Sequence, residues 1–75
     1  MAVLGDRETI RVAMRAIAEL PLTQQTVIRM RDVEGYSSEE VCATLDVSEA
    51  NQRVLLHRAR SKVRAALDRA FREER

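Results

Sequence analysis

Tryptophan is absent from this chain, and its aromatic content is one Tyr and one Phe; glycine occurs twice and proline once. Aromatic residues help fill sandwiches and barrels, and glycine and proline build their turns, so a β-sandwich or barrel is not expected. The lone cysteine, Cys42, has no partner for an internal disulfide, and with one histidine, His57, the chain lacks the ligands of a structural zinc site. No cofactor or metal is expected. A reducing, cytoplasmic setting follows. The first residues carry no basic stretch followed by a long apolar one, and no window is long enough to cross a bilayer, which predicts a soluble, unexported protein. Seventy-five residues suffice for one domain, residues 1–75, with one thin core and no deep pocket.

What is abundant is Ala, Leu, Glu and Arg, the better helix formers. The fold class predicted is all-α, a four-helix domain with a C-terminal helix-turn-helix and a long last helix. Ile10, Ala13, Met14, Ile17 and Ala18 form an apolar stripe on a first helix over about residues 8–19. Pro21 stops it. Thr23 is expected to cap a second helix, with Leu22 and Val27 as a hydrophobic staple, and Gly35 to end that helix at Glu34. Ser37 with Glu40 is a capping box, and Tyr36 with Val41 a second staple, opening a short third helix near residues 38–45. Asp46 and Val47 make a tight turn, Asp46 tolerating a left-handed backbone, and Ser48 caps a fourth helix without a breaker. Cys42 is small, as a close helix crossing demands, and reads as a buried packing residue rather than a redox sensor.

The overall charge of +1 hides an asymmetry. Residues 1–47 carry five Arg against eight acids, and residues 48–75 eight bases against four. Leu56, Ala59, Val63, Ala66, Leu67 and Ala70 share one face of the fourth helix, while Arg53, His57, Arg60 and Arg64 make a stripe beside it. Charge alone fits an element facing phosphates or an ordinary solvated face. Arg69, Arg72 and Arg75 with Glu73 and Glu74 read as a solvated helix end. No carboxylate or nucleophile is spaced to use His57 for catalysis, so no enzyme active site is expected; His57 lies on the polar face.

A short helix, a tight turn and a capped helix with a basic outer face make the helix-turn-helix pattern, whose second helix enters the major groove; an ordinary helical hairpin shares the outline. Leu20-Pro21, RDVEGYSSEEV at 31–41 and HRARSKVRAAL at 57–67 go further. With the punctuation between them, residues 20–67 resemble region 4 of extracytoplasmic-function (ECF) sigma factors, the bacterial RNA polymerase specificity subunits. Nothing resembles region 2 of that family, so the chain reads as its C-terminal domain. The resemblance implies recognition of the minus-35 promoter element on double-stranded DNA, docking on the β-flap of the polymerase core, and in many members sequestration by an anti-sigma factor.

Carried over by position, the resemblance puts Arg53, Val54, His57 and Arg58 on the groove-facing stretch, Asn51 near the helix start, and Arg31 and Ser38 where the DNA backbone is held. The side-chain chemistry agrees: Arg53 can donate to guanine O6 and N7, Asn51 can pair with adenine, and Val54 can meet a thymine methyl. Ser48 and the free amides of the next turn can receive a phosphate. The chain departs from the family in having Asp46 where glycine is usual and Ala50-Asn51-Gln52-Arg53-Val54-Leu55 for Gly-Thr-Val-Lys-Ser-Arg. Gln52 thus replaces a core aliphatic and Leu55 a basic residue, so the DNA sequence preferred by relatives does not transfer. Two alternatives remain open: a LuxR-type transcription-factor output domain, and a protein-interaction module without DNA binding that uses Val54 and Leu55.

Overall fold

The computed structural model describes residues 7–72. All regular structure among them is helical: α1 (Arg7–Ala18), α2 (Leu22–Ile28) running on into a π-helical turn (Arg29–Val33), α3 (Ser38–Leu45) and α4 (Glu49–Arg72). The all-α expectation holds. The expected charged end beyond Arg72, and residues 1–6, lie outside the described residues.

Twenty-four residues make α4 about 36 Å long at 1.5 Å per residue, which accounts for most of the 42 Å longest dimension. The other three helices pack on it, while α1 and α2 touch each other little. Ile17, Leu20, Val27, Ile28, Val41, Leu56 and Ala59 form the core, flanked by the partly buried Met30, Leu45, Leu55 and Val63. Of the stripe expected to bury on α1, only Ile17 does; Ile10 is 50% exposed and Met14 and Ala18 are also exposed. With α4 as its main neighbour, α1 has one narrow face covered.

Between α1 and α2 the chain tightens through bonds from Glu19 N to Ala16 O and from Leu20 N to Ile17 O, 3.2 and 3.1 Å. Pro21 then stands extended, at φ −53° and ψ 147°, and its carbonyl accepts from Gln25 N. That bond starts α2 two residues earlier than expected. Thr23 therefore lies inside the first turn and caps nothing, and Leu22, 74% exposed, does not staple to the fully buried Val27. Gln25 compensates in part, its Nε2 donating to Ile17 O at 3.0 Å and satisfying a carbonyl at the end of α1.

The second helix stops at Glu34 as expected, but through a π-turn. Glu34 N bonds Arg29 O and Tyr36 N bonds Met30 O, both at 2.8 Å, with Gly35 left-handed at φ 82°. Ser37 and Glu40 form the expected capping box: Ser37 Oγ accepts from Glu40 N at 3.1 Å and Glu40 Oε1 from Ser37 N at 2.8 Å. Tyr36 stays exposed in front of the buried Val41. Cys42 is half-buried rather than buried.

Candidate nucleic-acid interface

The joint between α3 and α4 is built from signals a few residues long. Asp46 adopts the left-handed conformation, φ 58° and ψ 50°, and the amides of Asp46 and Val47 both return to Cys42 O, closing α3 in a Schellman-type end. The chain reverses within Val47 and Ser48, and Ser48 Oγ accepts from Asn51 N at 3.0 Å to open α4. The turn and both caps set where the first turns of α4 stand.

Beneath them lies a buried amide. Gln52 is 2% exposed, on the same side of α4 as Leu56 and Ala59. Its Oε1 accepts from Arg31 Nη1 at 3.0 Å, and its Nε2 donates to Ser38 Oγ at 2.7 Å. Ser38 Oγ in turn donates to the Glu49 carboxylate, 2.7 and 2.9 Å from its two oxygens. A buried amide with unmet polar ends costs about 1–3 kcal/mol. Here both ends are met, and the relay ties the π-turn, α3 and α4 together. Arg31 acts only as a donor and a carboxylate only as an acceptor, so the orientation of the amide between them follows.

A second tie lies two turns along α4, roughly 12 Å away. Arg60 grips Asp32 with two bonds, Nε to Oδ2 at 2.8 Å and Nη2 to Oδ1 at 2.6 Å. The hydrogen bond from Arg60 holds the Asp32 carboxyl below its ordinary range, aided by the charges of Arg60 and Arg31 and opposed by partial burial. The same bond raises the Arg60 guanidinium. One member of the expected cationic stripe is thus paired with an acid of the π-turn at the surface, alongside the exposed Arg53, His57 and Arg64.

The outward side of α4 carries Asn51, Arg53, Val54, His57 and Arg58, all exposed, and Ala50, Arg53, Val54, His57 and Arg58 line a shallow, mainly apolar depression. Between Glu49 and Asp68 there is no acid and there are five bases. Residues 10–71 match the family model described as Sigma-70, region 4. The chain belongs to the sigma-70 region 4 family. No curated protein and no solved structure matches it. The family is a DNA-binding one that supplies minus-35 promoter recognition in sigma factors.

In this region 4 domain the sites expected from the sequence fall into two groups. Ser48, Asn51, Arg53, Val54, His57 and Arg58 share the exposed start of α4. Arg31 and Ser38 are half-buried and bound into the Gln52 relay, which spends the only O–H of Ser38 on Glu49. Gln52 had been noticed only as a departure from an aliphatic, and Glu49 not at all. The period of the α4 core stripe, continued one turn back from Leu56, was the signal that could have placed Gln52 inside. Leu55 packs against the core, so of the two residues that kept a protein-interaction reading open only Val54 is exposed. No helix among the described residues is long and apolar enough to cross a membrane.

Proposed function

We propose that this region 4 domain reads a minus-35 promoter element with the outward face of α4, as part of an ECF sigma factor in the bacterial cytoplasm, and performs no catalysis of its own. The observation that carries the reading is the face itself: Asn51, Arg53, Val54, His57 and Arg58 stand exposed on an acid-free stretch at the start of a capped helix. Arg53 reads guanine, Asn51 adenine and Val54 a thymine methyl, and His57 and Arg58 extend the contact along the groove. Ser48 lies at the positive end of α4, where a phosphate is favoured, and Arg31 supplies a backbone contact from the π-turn, with Ser38 beside it. Docking on the polymerase β-flap, and sequestration by an anti-sigma factor, complete the reading.

With a net charge of +1 the domain neutralises few phosphates, so binding of the isolated chain is expected to be micromolar or weaker and to fall with salt only as steeply as those few contacts dictate. Tethering to a second promoter contact would supply the missing affinity through effective concentration. The test is selection of bound sequences from a random duplex library, followed by anisotropy on selected and shuffled duplexes. Arg53→Ala should cost about 1–3 kcal/mol on the selected site and relax one base position. An equal loss on both duplexes would show that Arg53 does not read a base.

A further inference from the structure

We propose that Gln52 is a positioning residue for DNA-backbone binding, acting through Arg31; the proposal rests on the reading of α4 as the DNA-facing helix. The position needs an explanation that packing does not provide. Gln52 lies in line with Leu56 and Ala59 against α4's partners, and an aliphatic side chain of similar size would fill the same space with no amide to satisfy. What the amide adds is direction. Its Oε1 holds one guanidinium nitrogen of Arg31 at 3.0 Å, and its Nε2 is held at 2.7 Å by Ser38, itself anchored on Glu49. Asn is too short to span these partners, Glu cannot donate to Ser38, and Leu or Met offers neither end.

The consequence falls on Arg31, the only cation among these residues. Arg31 uses Nη1 on Gln52, its other guanidinium nitrogens have no hydrogen-bond partner among the described residues, and it stays half-exposed near the root of α4. With α4 in the major groove, as proposed above, Arg31 is the donor assigned to the phosphates bordering that groove. An arginine free to wander loses side-chain entropy when it grips a phosphate; one already held by Gln52 loses less. Gln52, which touches no DNA, thereby sets how well Arg31 does.

Anisotropy across a salt series on a random duplex, with the full 75-residue chain as wild type, Gln52→Leu, Arg31→Ala and the double variant, tests this. Gln52→Leu should melt at or above the wild-type temperature, bind both selected and random duplexes more weakly by the same factor, and flatten the slope of log affinity against log salt by up to about 1. Arg31→Ala should do the same, and the double variant should lose no more than Arg31→Ala alone, the signature of coupled residues. Should Gln52→Leu fail to fold, Gln52→Met takes its place in the cycle. Losses that add in the double variant, or an unchanged salt slope in Gln52→Leu, would each overturn the role of Gln52. Equal binding of selected and shuffled duplexes by the wild type sinks the minus-35 reading instead, and the coupling on random duplex is decided separately.

Discussion

Two glutamines are buried in this domain, and their surroundings treat them differently. Gln52, at the joint of α3 and α4, meets Arg31 on one end of its amide and Ser38 on the other. Gln24, on α2 and 8% exposed, has an Oε1 with no hydrogen-bond partner among the described residues. The same side chain therefore ties three elements together in one place and burdens the fold in another. The contrast extends to the elements themselves. Side-chain caps open α3 and α4, whereas α2 starts behind Pro21 without one. Local order is concentrated where the proposed DNA-reading helix is set.

Truncation at the joint should show the largest effect. Gln52→Ala removes a buried side chain and leaves a cavity among Arg31, Ser38 and Leu56, so thermal melts should register a loss of about 2–4 kcal/mol. A loss under about 1 kcal/mol would mean that the joint relaxes around the gap and is no better ordered than α2.

The opposite sign is expected at the other glutamine. Gln24→Met keeps the volume and removes the unpaired carbonyl, and should raise stability by about 1 kcal/mol. A lower melting temperature would show that the Gln24 amide is satisfied in solution after all, and the comparison would lose its weaker half.

Caps sharpen it next. Ser37→Ala removes the hydroxyl that accepts from Glu40 N, leaving only the backbone bond from residue 37 to the Glu40 carboxylate, and should cost about 1 kcal/mol, while Thr23→Ala, at a residue that caps nothing, should change stability by no more than a few tenths. Equal costs in denaturant titrations would restore Thr23 as a cap.

The smallest effect is that of Asp32→Asn. Asp32 has its carboxyl lowered in the fold, so its pairing contributes stability above the ordinary carboxylate value, near pH 4, and loses it as pH falls through the lower folded value. Arg60 is raised from an already high value, so its contribution is present at every working pH. The side chains are 53% and 35% exposed, which holds the worth of the pair below about 1 kcal/mol. Wild type and Asp32→Asn should therefore differ by a small constant from neutral pH down to about 5 and converge below about 4; a gap persisting at pH 2 would locate the effect elsewhere.

Local sequence specifies those features whose causes lie within about one helical turn. The capping box of Ser37 and Glu40, the left-handed Asp46, the Ser48 cap and the stop at Gly35 each depend on a backbone group a few residues away, and each was legible; the exposed positions Asn51, Arg53, Val54, His57 and Arg58 followed from the period of α4. The Thr23 cap was misread because Ser or Thr before an apolar run signals a helix start only when no proline begins it sooner. Tertiary structure alone decided the rest. Arg31 meets Gln52 across 21 positions and Asp32 meets Arg60 across 28, through a π-turn that no local pattern announced. The stripe of α1 was correctly read as apolar, yet Ile10 and Met14 remain exposed. Periodicity shows which face of a helix would prefer to be buried; whether a neighbour covers it depends on how all four helices share one narrow core, and that balance is struck only when they pack.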